Sequence, residues 1–148
     1  MFAGVDPYAW YAIKKYKHWR VYLHPHQYPY LGRCYASALR LEADIITDMT
    51  PQERQELFEL IVPRWYKTVQ EVYGECRPNF AIMGNDWEHL HAHMIPRYVY
   101  NPVQDGIAFE DANRGSNYAP YLKNLLYPSI MASIKIAMMT GFNSDPTQ

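Results

Sequence analysis

The sequence predicts an α+β fold: an antiparallel sheet of about five strands, a long capped helix and a C-terminal helix. Three observations carry that expectation. From Glu88 to Tyr98, His89, His91 and His93 alternate with Leu90, Ala92 and Met94, the period of a half-buried strand. Thr50-Pro51-Gln52-Glu53 is a capping box that opens a helical apolar stripe. Short β-rich runs separated by Pro and Gly surround both.

Taken in order, Asp6-Pro7 reads as a helix start, with Ala9, Trp10, Ile13 and Tyr16 at helical spacing behind it. Trp19 to Leu23 is a strand and Cys34 to Leu39 the returning one. The long connection between them, His24 to Gly32, carries two histidines and two tyrosines. Loops of that length in compact domains are often functional. The helix after Thr50 places Leu57, Leu60, Ile61, Trp65, Thr68, Val69 and Val72 on one stripe and stops at Gly74. Pro63 inside it predicts a kink or break. Asn79 to Met83 is a strand, Gly84-Asn85-Asp86 a turn, and the histidine strand follows at once. Val99 to Tyr118 reads as loop with one short strand near Ile107 to Phe109. Pro128-Ser129 opens the last helix, with Ile130, Ile134, Ala137 and Met138 on one face and Gly141 as its stop.

With 148 residues, 49% hydrophobic and 20% charged, the chain is expected to form one folded domain over 1–148, with a flexible tail from about 143. A net charge of −1 and no basic stripe argue against a nucleic-acid partner. No apolar run is long enough for a membrane-spanning helix, Cys34 and Cys76 form no metal or redox motif, and a cytoplasmic setting is the expectation.

Histidine is the commonest metal ligand and a good nucleophile, so two chemistries compete for the row. A metal site needs a further ligand at clear spacing. In an ideal strand Glu88 faces away from the histidines, and Asp86 sits in the turn. Nucleophilic catalysis needs one neutral imidazole held in one tautomer by its surroundings.

His89-Leu-His91-Ala-His93-Met-Ile95 resembles the His-φ-His-φ-His-φ-φ signature of the histidine-triad superfamily, φ being apolar. The flanks Asn79 to Asn85, Ile95 to Tyr98, His26 to Cys34, Phe109 to Asp111 and Gly115 to Tyr118 are similar to its dinucleoside polyphosphate hydrolase branch. The resemblance implies an α+β sheet paired in a homodimer, acting on a nucleotide at its α-phosphate. It also implies His91 as nucleophile, forming a nucleotidyl-imidazole, with His89 positioning it through its backbone carbonyl and His93 lining the phosphate and ribose side. Asn79 and Asn85 match substrate-contacting positions. His26, Gln27, Arg33 and Arg97 complete the expected substrate-binding set. No cofactor is needed for the chemistry, no protein-bound metal is expected, and a divalent ion with the nucleotide is compatible. A phosphoramidate substrate, or nucleotide or metal binding without turnover, is the alternative.

The sequence departs from that pattern at three places. Gly32-Arg33 stands where many relatives carry Gly-His, and His26-Gln27 where Asn-Gln is common. Asp86-Trp87-Glu88 is acidic beside a polyanion site. Tyr22, Leu23, Tyr28, Tyr30 and Trp87 are candidates to stack on a base. Arg97, Arg33 and Arg114 are candidates for a distal phosphate.

Overall fold

The computed structural model describes residues 6–144. Its centre is a five-stranded sheet: β1 (Ala12–Lys15), β2 (Trp19–Leu23), β3 (Cys34–Ala38), β4 (Cys76–Ala81) and β5 (His91–Tyr98). They lie in the order β1-β2-β3-β5-β4, and every neighbouring pair is antiparallel. Helices α1 (Pro51–Glu56) and α2 (Val62–Tyr73) are joined by a π-helical turn over Leu57–Ile61, and α3 (Pro128–Phe142) lies later in the chain. A two-stranded ribbon, β6 (Val103–Gln104) with β7 (Ile107–Ala108), stands apart from the sheet.

The expected helix behind Asp6-Pro7 does not form. Ala9–Tyr11 makes a single 3-10 turn and the chain then extends into β1, with Ile13 buried against the core. Ile13 and Tyr16 fit helical spacing, but pairing with β2 decides the outcome, a tertiary choice overriding local pattern.

The capping box forms as the sequence predicts. Thr50 Oγ1 accepts from the Glu53 N–H at 3.1 Å, and the Glu53 carboxylate accepts from the Thr50 N–H at 2.8 Å. Pro63 neither breaks nor ends the helix. The π turn widens it just ahead of the proline, with the Val62 N–H bonding back to the Leu57 carbonyl. Such a turn relieves the crowding a proline ring imposes on the preceding turn. Leu57, Ile61, Trp65, Thr68 and Val69 are buried, whereas Leu60 and Val72 are exposed, so the stripe is narrower than the spacing suggests.

α2 and α3 cross where a Cβ on Gly141 would lie 2.2 Å from Thr68 Cγ2. Gly141 therefore sets how closely the helices approach, and α3 runs one residue past it to Phe142. Part of the expected flexible tail, beyond residue 144, lies outside the described residues. The main core fills the space between the sheet and these helices. It holds Ala36, Ala92, Met94, Trp65 and Ile134. A smaller cluster of Tyr30, Ile95 and Tyr118 lies on the opposite face, the face of the histidines. Among the described residues no helix is long and apolar enough to cross a membrane.

Candidate active site

β5 carries only part of the histidine row. His91 opposes Ser37 and His93 opposes Tyr35 on β3, while Leu90, Ala92 and Met94 are fully buried as alternation demands. His89 precedes the strand, because residues 82–90 form an irregular connection instead of a tight hairpin. That connection is pinned to the sheet: the Leu90 carbonyl accepts from the Ala38 N–H at 3.0 Å, and His89 Nε2–H donates to the Ala38 carbonyl at 2.8 Å.

His89 turns its backbone carbonyl onto His91. The Nδ1···O distance is 2.5 Å, and a carbonyl only accepts, so His91 carries its proton on Nδ1 and presents a lone pair at Nε2. Burial pushes the His91 pKa below the ordinary imidazole value, the bond to the His89 carbonyl working the other way. Trp87 lies over His91 with ring centroids 4.5 Å apart, and His93 meets His91 edge-on at 4.9 Å.

His91 and His93 open onto a cavity of about 640 Å³, within the range of small-molecule sites. Asn85, Asp86, Trp87, Tyr35, His24, His26, Tyr121 and Lys123 are among the other residues that line it. Among the described residues no group of three or more His, Cys, Asp or Glu side chains is placed to hold a metal ion.

Neither a protein-family model nor a curated protein matches the sequence. Solved structures do match. A histidine triad protein from Marinobacter aquaeolei VT8 is 18% identical, covers 97% of this chain and 98% of its own, and has a TM-score of 0.67. The NitFhit protein of C. elegans is 15% identical over 88% of this chain, TM-score 0.62, and a uridylyltransferase is 13% identical over 90%, TM-score 0.61. This chain spans 27% of the NitFhit chain and 41% of the uridylyltransferase chain.

The chain has the histidine-triad fold.

Within that fold the expected site residues separate into groups. His91, His93, His26 and Asn85 line the cavity, and His89 stands behind His91. Asn79 opposes Ile95, on the histidine face but outside the cavity lining. Gln27 is a correction. Its side chain is buried and engaged, accepting from the Gly32 N–H at 2.7 Å and donating to the carbonyls of His24 and Arg33 at 2.9 and 2.8 Å. It shapes the β2–β3 connection and has no amide group left to meet a substrate.

Arg97 is a second correction. Its guanidinium binds Asp111 at 2.5 and 3.0 Å and the carbonyls of Ser116 and Asn113 at 2.7 Å each. These contacts fasten the 111–116 loop to the sheet and engage four of its five donors, and Arg97 is outside the cavity lining. Arg114 is bonded to the Arg97 carbonyl at 3.3 Å. Of the stacking candidates, only Trp87 lines the cavity. Tyr22 is stacked on Tyr35 with centroids 5.1 Å apart, Leu23 and Tyr30 are buried, and Tyr28 packs on Phe109.

Several lining residues are not among the expected site residues. His24 ends up beside His93, with centroids 5.8 Å apart, and its Nδ1 accepts from the His26 N–H at 3.0 Å. Burial lowers its pKa to about 2, the Arg33 charge adding to the shift, so the ring is neutral. His93 falls to about 3, again chiefly through burial and then Arg33. For His24 the sequence offers its place in the long, histidine-bearing β2–β3 connection, without a role for that residue. Tyr121 and Lys123 reach the cavity from a segment without regular structure.

Proposed function

We propose that the protein is a nucleotide phosphohydrolase or nucleotidyl transferase that cleaves at the α-phosphate of a nucleoside phosphate through His91. The observation that carries this reading is the 2.5 Å contact from His91 Nδ1 to the His89 carbonyl. It fixes the tautomer with the nucleophilic nitrogen free, on a residue that faces a ligand-sized cavity. The names of the structural neighbours, histidine triad proteins and a uridylyltransferase, agree in kind with nucleotidyl chemistry.

In the first step the His91 Nε2 lone pair forms a bond to the α-phosphorus while the bond to the leaving group breaks. The leaving group departs with that electron pair. The ring becomes positively charged, and its Nδ1–H still donates to the His89 carbonyl. The Trp87 ring, its centroid 4.5 Å from that of His91, is close enough to stabilise the cation. In the second step the oxygen of water, or of another acceptor, bonds to the same phosphorus while the Nε2–P bond breaks, its electron pair returning to the imidazole; the acceptor's proton passes to solvent and the nucleotide is released. Dividing one displacement into two lowers each barrier. In this reading Asn85 and backbone N–H groups of the 84–87 segment, which lines the cavity beside His91, meet the developing oxyanion charge. His93 lines the phosphate and ribose side, and His26 contributes from the β2–β3 connection.

A dinucleoside polyphosphate is the substrate this reading favours, and two chains pair as a homodimer. No protein-bound cofactor enters the scheme, and a divalent ion travelling with the nucleotide is compatible with it. The test is His91→Asn: cleavage is lost while nucleotide binding, followed by calorimetry, survives. Activity that disappears with a chelator and returns with zinc, but not with magnesium carried by the nucleotide, would contradict the scheme and favour a protein-bound metal.

A further inference from the structure

Two arginines on the histidine face are equally buried, Arg97 at 2% exposure and Arg33 at 3%, and they are satisfied very differently. Arg97 has the carboxylate of Asp111 and two carbonyls. Arg33 forms no ion pair among the described residues. Its one side-chain hydrogen bond runs from Nη1 to the Tyr121 hydroxyl at 2.6 Å, and the rings of Tyr118 and Tyr121 flank it at 5.3 and 5.2 Å. Its Nε–H is buried without a partner, as is Nδ1 of His93. A buried guanidinium lacking an anion is an expensive arrangement that folds do not keep by default.

The surroundings say where the anion comes from. Arg33 does not itself line the cavity; Tyr121, whose hydroxyl accepts from it, does, and so does Lys123 on the same segment. The imidazoles of His24, His26 and His93, which feel the Arg33 charge, are neutral or cationic groups and cannot be its counter-ion. Asp86, the one acid of the lining, makes no ion pair with Arg33. A guanidinium with unused donors is well matched to a phosphate oxygen.

We propose that Arg33, with Tyr121 and Lys123, receives a phosphate beyond the one attacked, so that the substrate is a nucleoside di- or polyphosphate. A phosphoramidate or ester with an uncharged leaving group would leave this subsite unused. The inference rests on the placement of the α-phosphate at His91 and adds the position of the next one.

The experiment is calorimetric titration of the full chain with pairs of 5′-monophosphate and uncleavable α,β-methylene diphosphate of adenosine, guanosine and uridine. For whichever base binds best, the diphosphate binds at least tenfold more tightly. Arg33→Gln removes that preference while monophosphate affinity stays within about twofold, and Arg33→Lys retains part of it. Equal affinities in the native protein, or an unchanged preference in Arg33→Gln, overturn the proposal. Because Arg33 is buried, a second measurement uses the native chain alone. The NMR signal of the Arg33 Nε–H moves on saturation with the diphosphate and not the monophosphate, while that of Arg97, already bonded to Asp111, stays put. An unmoved Arg33 signal overturns the proposal equally. A nucleotide adduct on His91 without diphosphate preference would sink this inference and spare the nucleophile; a preference without an adduct would do the reverse.

Discussion

The backbone carbonyl of His89, not its imidazole, holds His91: Nδ1 of His91 lies 2.5 Å from that oxygen, while the His89 ring is bonded away to the Ala38 carbonyl. The two histidines are therefore predicted to tolerate substitution very differently. His89→Gln keeps the carbonyl and a donor toward Ala38, so kcat should fall by no more than about tenfold. His91→Asn removes the attacking atom and should cost at least about 10³-fold. Steady-state rates of the two variants side by side make the comparison.

Stability should fall as pH drops below about 6.5, the ordinary value for an imidazole in the unfolded chain. His24 and His93 are neutral in the fold down to about 2 and about 3, whereas the unfolded chain takes up protons from 6.5 downward. The unfolded state then binds more protons, so each group contributes a slope of up to about 1.4 kcal/mol per pH unit. Urea unfolding at pH 7, 6 and 5 reads the slope. His24→Asn, whose side-chain oxygen still accepts from the His26 N–H, should reduce it by less than half, because His93, His91 and His26, all lowered in the fold, keep contributing.

Asp111 is predicted to matter for folding and not for the chemistry at His91. Replacing it by Asn leaves the Arg97 guanidinium buried without its anion, an imbalance worth about 3–5 kcal/mol. Denaturant midpoints should shift accordingly, and the protein that remains folded should turn over substrate at close to the native kcat.

Strands β2 and β3, the Thr50 capping box and the alternation around His91 were legible because each is a local pattern with a local cause. Other features depend on partners distant in the chain. β1 exists because β2 is beside it, although Asp6-Pro7 and its followers fit a helix. Arg97, by its place at a strand end, reads as a ligand-binding charge, and it is Asp111, 14 positions on, that occupies it. Gln27 likewise serves the backbone of Gly32, His24 and Arg33. Within the site, the motif was enough to single out His91 and His93, and the break before β5 that turns the His89 carbonyl inward was not visible. Strict alternation had placed His89 in the strand, whereas pinning of the 82–90 segment to Ala38 takes it out. His24, Tyr121 and Lys123 come to the cavity through long-range packing that no spacing rule encodes.

The nucleophile can be tested directly by mass spectrometry of the protein quenched in acid-free conditions during turnover of a dinucleoside polyphosphate. The account predicts one peptide heavier by a nucleotidyl group, the peptide containing His91, with the increment absent in His91→Asn. Steady turnover with no adduct on that peptide, or an adduct on another residue, would contradict it.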